Sequence, residues 1–119
     1  MPYAATACPS YLADFRRKLE KAKQTQGFRY VHVLCPCPTG WGFPSEKTIE
    51  IGRLAVRTGM FILAEAEYGK IKITMVKKRV PVKEYLKLQT RFRHLKDEQL
   101  KIIRKNIDRR WEKYLELST

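Results

Sequence analysis

Residues 28–44 read FRYVHVLCPCPTGWGFP. The first eight, FRYVHVLC, are rich in β-branched and aromatic types, which fit a pleated surface and predict a strand over 28–35. The next nine hold three prolines and two glycines. Proline fixes φ and glycine opens the left-handed region, so the loop 36–44 is expected to be stiff and shaped. Upstream, Tyr3-Ala-Ala-Thr-Ala7 is short and apolar and reads as a buried strand. Pro9-Ser10 breaks it, with Ser10 as the expected N-cap. Tyr11, Leu12, Phe15, Leu19 and Ala22 then recur near helical spacing over 11–24, and Gly27 ends the helix. Strand, helix, strand with short connections is a βαβ unit, so the two strands are expected to be parallel neighbours.

Downstream, Ser45 is expected to cap a helix over 46–58, with Gly59 just past its end. Residues 60–76, MFILAEAEYGKIKITMV, form two alternating runs around Tyr68-Gly69-Lys70 and predict a β-hairpin. Residues 77–80, KKRV, read as a basic link. Pro81 suits a helix start for VKEYLKLQTRF. A long helix over about 97–117 places Leu100, Ile103, Ile107, Trp111 and Tyr114 on one stripe. Lys101, Lys105, Arg109 and Lys113 repeat every four residues beside it.

At 119 residues the chain is one structural unit at most, with a modest core. The fold class expected is α/β. Residues 1–59 are its βαβα portion, 60–76 the hairpin and 77–119 a basic helical extension. No run of about 18 apolar residues would span a membrane, and no secretory signal stands at the N-terminus. The formal net charge is +13, and residues 77–119 alone carry 14 basic and 6 acidic side chains. Nucleic acid, an anionic surface or an acidic partner subunit would each suit that balance. No glycine-rich or aromatic nucleic-acid module accompanies the stripe, so an acidic partner or a solvated face is favoured over nucleic acid.

The chain has three cysteines, Cys8, Cys35 and Cys37. That is no disulfide framework, and a reducing cytoplasmic compartment is expected. If the strand runs into the pair, Cys35 and Cys37 point to one face. Thiolates are the usual ligands of iron–sulfur clusters, and the carboxyl edge of a parallel strand is where α/β sheets build sites. A buried inert thiol is the competing reading. His32 reads as a core or interface residue and His94 as a surface or interface one. No phosphate loop, dinucleotide fingerprint or catalytic triad order stands out.

The blocks YAATACPSY, VHVLCPCPTGWGF, EKTIEIGRLAVRTGMF, PVKEYLKLQTRFRHL and IDRRWEKYLEL resemble, in that order, the C-terminal third of the β subunit of pyruvate:ferredoxin oxidoreductase. This is the pyruvate synthase branch of the 2-oxoacid:ferredoxin oxidoreductases. The resemblance implies a part of a thiamine diphosphate-binding-type parallel-sheet domain. It also implies an enzyme that decarboxylates pyruvate, reduces ferredoxin and forms acetyl-CoA with CoA. Thiamine diphosphate with Mg²⁺ and 4Fe-4S clusters are the cofactors it implies. Cys37 occupies the position of a 4Fe-4S ligand in the C-P-T-G-W block. Cys35 stands where a small residue is usual and is a weaker candidate; Cys8 stands where serine is usual. The Gly-Asp-Gly stretch that helps hold Mg²⁺ and diphosphate is not in this sequence. The resemblance therefore implies that the remaining part of the β subunit and the other oxidoreductase subunits are partners, and that this chain alone is inactive. A small basic nucleic-acid-binding protein and a structural remnant without a site are the alternatives.

Overall fold

A computed structural model describes residues 2–74 and 79–118. It is an α/β fold. β1 (Tyr3–Ala7), α1 (Leu12–Gln24) and β2 (Arg29–Val33) form the βαβ unit, and β1 and β2 pair in parallel with Tyr3 opposite Arg29 and Ala7 opposite Val33. β3 (Ala64–Glu67) and β4 (Lys70–Ile73) are the hairpin. Its turn residues Tyr68 and Gly69 have φ of 48° and 86°, the two positive values that match the right-handed twist of the strands. The hairpin does not stand apart from the βαβ unit. β3 pairs antiparallel with β1, giving one mixed sheet in the order β2-β1-β3-β4. Met75 and Val76, the end of the predicted hairpin, and Lys77 and Lys78 of the basic link lie outside the described residues.

Strand β1 is therefore interior, and β2 is an edge whose Arg29, Tyr30 and His32 are exposed. α1 covers the face bearing Tyr3 and Glu65. Its stripe is not the apolar one expected: Leu12 is 61% exposed and Leu19 42%, whereas Lys18 is wholly buried. The buried ammonium donates to Asp14 at 2.7 Å and to the Thr6 carbonyl at 2.9 Å, with Thr74 Oγ1 at 3.3 Å. A buried lysine is tolerable only when its donors are satisfied, and these three partners do that. Alongside, Tyr3 Oη donates to Glu65 at 2.7 Å and Arg17 pairs with Glu65 at 2.9 Å. Ser10 does not cap α1; its hydroxyl donates instead to the Ile49 carbonyl at 2.9 Å.

The opposite face is covered over β3 and β4 by Trp111 and Tyr114, which pack on Ile62, Ala64 and Ile73. These two residues belong to α5 (Asp97–Leu117), the long helix expected. Its Ile107 enters a second core with Phe43, Ile51, Ala55, Val82, Tyr85 and Leu86, where α3 (Thr48–Arg57) and α4 (Val82–Leu86) meet the loop after β2. Ser45 does not cap α3 directly. A single 3₁₀ turn at Ser45–Lys47 intervenes, and the Ser45 carbonyl accepts from Thr48 Oγ1 at 2.6 Å. Gly59 has φ 81°, as expected of the residue beyond the C-cap, Thr58. Arg110 of α5 donates to the carbonyls of Gly59 and Met60 at 3.1 and 2.7 Å, joining the end of α3 to α5. The helix expected over VKEYLKLQTRF is shorter than its pattern: α4 stops at Leu86, Gln89 is extended, and Thr90–Phe92 make a 3₁₀ turn.

Candidate functional site: the cysteine loop and its clamp

β2 ends at Val33, and the ladder carries one bond further, from Leu34 N–H to the Ala7 carbonyl at 2.9 Å. Cys35 and Cys37 follow, and both are exposed. The loop is not all irregular. Pro38–Trp41 form a short helical turn, labelled α2, with Cys37 at its N-cap. Cys37 Sγ accepts the Gly40 N–H at 3.3 Å, and the Cys37 carbonyl accepts the Trp41 N–H at 2.9 Å. Proline at the first helical position needs no N–H partner there, so Pro38 fits that turn. An N–H on the sulfur helps fix the orientation of the side chain, as hydrogen bonds do for metal ligands.

The turn closes at Gly42, whose φ of 75° lies in the left-handed region. Its carbonyl accepts from Thr90 twice, from N–H at 2.8 Å and from Oγ1 at 2.7 Å. A Cβ at Gly42 would stand 2.5 Å from Thr90 Cβ, so only glycine admits this approach. Phe43 next enters the helical core and meets Trp41 edge-on, with ring centroids 6.2 Å apart. The Arg91 guanidinium carbon lies 4.0 Å from the Trp41 ring centroid and 4.4 Å from that of Phe92. Thr39, Trp41, Gly42, Thr90, Arg93 and His94 line an open groove of ≈ 420 Å³ beside the loop. His94 is exposed, as its basic neighbourhood suggests.

The other candidate positions lie apart from this loop. Cys8 is wholly buried and packs with Val56 and Leu63, as an inert core thiol does. His32 is exposed on β2 and meets Phe61 edge-on at 5.7 Å between ring centroids. Among the described residues no group of three or more His, Cys, Asp or Glu could hold a metal ion by itself. The donor set at the loop is thus one thiol with an N–H on its sulfur and a second thiol two residues away. That suits one corner of a cluster whose other ligands come from elsewhere, since four thiolates are the usual complement. Thr90 and Arg91 were not legible as loop partners, because nothing local in T-R-F marks a contact 48 residues away.

Among the described residues no helix is long and apolar enough to cross a membrane. No family model matches the chain. Curated relatives do. A protein of Methanocaldococcus jannaschii named pyruvate synthase subunit PorB is 58% identical over 109 residues, covering 91% of this chain and 37% of the relative. The PorB of Methanothermobacter thermautotrophicus is 51% identical over 109 residues, covering 91% of this chain and 38% of the relative. A protein of Pyrococcus abyssi named ketoisovalerate oxidoreductase subunit VorB is 46% identical over 121 residues, covering 99% of this chain and 39% of the relative. The chain thus spans less than two fifths of the length of these relatives. With nearly its whole length matched at this identity, the chain belongs to the PorB/VorB family of 2-oxoacid:ferredoxin oxidoreductase β subunits, and it corresponds to a C-terminal part of them.

Proposed function

We propose that this chain is the part of a pyruvate:ferredoxin oxidoreductase β subunit that supplies one ligand, Cys37, to a 4Fe-4S cluster. The complete enzyme would convert pyruvate and CoA to acetyl-CoA and CO₂ and pass the electrons to ferredoxin. Thiamine diphosphate and Mg²⁺ would be held mostly by residues of the remaining part of the subunit. The observation that carries the reading is the exposed Cys37 thiol, held on a proline-flanked turn with the Gly40 N–H on its sulfur. When bound, the cluster supplies one-electron transfer. This chain's own part is to present the thiolate, orient it through Gly40, and keep water from one side with Trp41. Cys35 is the second candidate, exposed two residues earlier. Pyruvate is the 2-oxoacid proposed, on the C-P-T-G-W block at residues 37–41. Two exposed free thiols fit a reducing cytoplasm.

The same reading accounts for surfaces that a finished domain would cover. Phe28 and Tyr30 are exposed at the β2 side of the sheet, and Leu12 and Leu19 are exposed on α1. The remaining part of the β subunit is the partner proposed for that side, with the other oxidoreductase subunits beyond it.

The test is Cys37→Ser in the anaerobically assembled enzyme. One cluster should be lost or altered, read as iron content and electron paramagnetic resonance. Iron and spectra identical to the parent's would remove Cys37 from the site, and Cys35→Ser would then be measured the same way.

A further inference from the structure

We infer that Arg91 is the positioning residue of the cysteine loop, an inference that rests on the reading of Cys37 as a cluster ligand. Its guanidinium lies over Trp41 and Phe92 at 4.0 and 4.4 Å. Two buried groups fix its plane. Nε donates to Gln89 Oε1 at 2.8 Å and a terminal nitrogen to Tyr85 Oη at 3.3 Å. Gln89 is 1% exposed, and its own amide donates to the Tyr85 carbonyl at 2.9 Å, so it cannot swing away without leaving a buried carbonyl unpaired. The fork is thus anchored in the helical core through Tyr85 and Gln89, and it holds the indole from outside. Trp41 is in turn tied by its N–H to the Cys37 carbonyl at 2.9 Å. Core, guanidinium, indole and ligand backbone form one unbroken series of contacts.

Lys47, Arg79 and Lys87 each have a carboxylate within 3.2 Å, whereas among the described residues no carboxylate pairs with Arg91. Its charge is held against the ligand loop without a counter-ion. A fixed cation stacked on Trp41 would favour the more negative, reduced form of a cluster bound at the loop. Arginine suits both tasks, because it stacks on aromatic faces and stays charged; lysine keeps the charge and loses the planar fork.

The test uses Arg91→Ala and Arg91→Lys, each in the full chain carrying Trp111→Phe so that Trp41 is the one indole, and each in the assembled enzyme. In the chain, Arg91→Ala should shift Trp41 emission to the red and speed backbone hydrogen exchange of residues 37–42 several-fold. Arg91→Lys should do the same. In the assembled enzyme with iron content intact, Arg91→Ala should move the cluster's reduction potential to a more negative value, and Arg91→Lys should return most of that shift. Parental emission and exchange in Arg91→Ala would overturn the inference, as would a parental potential with all iron present. Failure of the underlying reading looks different. Cys37→Ser would then keep every iron atom, while emission and exchange would still report whether Arg91 holds the loop.

Discussion

The Gly42 carbonyl accepts two hydrogen bonds from a single residue, Thr90, at 2.8 Å from its N–H and 2.7 Å from its hydroxyl. This pairing fastens the cysteine loop to the segment after α4, and it is made by residues 48 apart. It lies beyond the end of α4, where the Gln89 N–H has already turned to the Leu86 carbonyl at 3.2 Å and the Gln89 side chain has taken the Tyr85 carbonyl.

Gly42→Ala should be the most damaging single-methyl change in the loop. It forces a side chain into the left-handed region and places Cβ 2.5 Å from Thr90 Cβ. Backbone strain of this kind costs about 1–3 kcal/mol before the clash is counted. Thr90→Ala removes one hydrogen bond and should cost about 1 kcal/mol. Denaturant unfolding of the chain measures both, and a smaller loss for Gly42→Ala than for Thr90→Ala would contradict the close approach.

Lys18→Met should destabilise the fold by about 1–3 kcal/mol, because it removes the ammonium from the Thr6 carbonyl and from Asp14, which keeps only Arg17 and Thr74 as partners. The double variant Lys18→Met with Asp14→Leu should lose less than the sum of the two single changes, since the charges answer each other at 2.7 Å. A strictly additive cycle would mean that the pair is not coupled.

Acid should weaken the α1 face through Glu65. Burial pushes its carboxyl pKa up, but hydrogen bonds from Tyr3 and Arg17 and the charges of Arg17 and Lys21 outweigh that and hold it below the ordinary value of 4.5. A depressed carboxylate contributes stability that is present above the ordinary value and lost as pH falls through the folded one. Glu65→Gln should therefore be less stable at neutral pH by about 2 kcal/mol, with the difference closing in acid. Tyr3 works at the other end. Burial first, then its bond to Glu65, raise its pKa well above the ordinary 10.0. Its contribution is complete below pH 10 and declines above it, and Tyr3→Phe should flatten that alkaline fall. Stability measured by circular dichroism from pH 3 to 11 checks both signs.

Gly52→Ala should also destabilise, by about 1–3 kcal/mol, through overpacking. A Cβ there presses on the Ser10 side chain and lies 3.2 Å from Cys8 Sγ. The Ser10→Ala background should recover part of the loss, and no recovery would place the cause elsewhere.

Much of the fold was legible because period and turn chemistry agree with it. The apolar run Tyr3–Ala7, the β-branched run after Arg29 and the Tyr68-Gly69 turn each state their conformation locally, and the structure follows them. The sharing of one sheet by the βαβ unit and the hairpin was not legible, since β1–β3 pairing joins Ala5 to Glu65 with no local signal. The α1 stripe misled for a chemical reason. Leu12 and Leu19 are apolar and exposed, and Lys18 is charged and buried, because its partners include Thr74, 56 residues away. Similarly, the helical pattern through Leu88 breaks at Gln89, whose side chain takes the Tyr85 carbonyl, and Thr90 beyond it bonds to Gly42 in the loop before α3. For the site, the proline and glycine spacing foretold a shaped loop, whereas the cation stacked on Trp41 came only from tertiary structure.

The sheet has two edges of different character. β4 carries Lys70 and Lys72, charges that discourage further pairing, whereas β2 has one such charge, Arg29 at its start, followed by Tyr30, Val31, His32 and Val33. A strand added at β2 by another polypeptide would make folding of this unit a bimolecular event. Its stability would then follow mass action, rising by about 2.7 kcal/mol when the partner stands at a hundred times its dissociation constant. The melting temperature of the chain would thus depend on how much partner a cell makes, and the abundance of one polypeptide would be set by synthesis of the other.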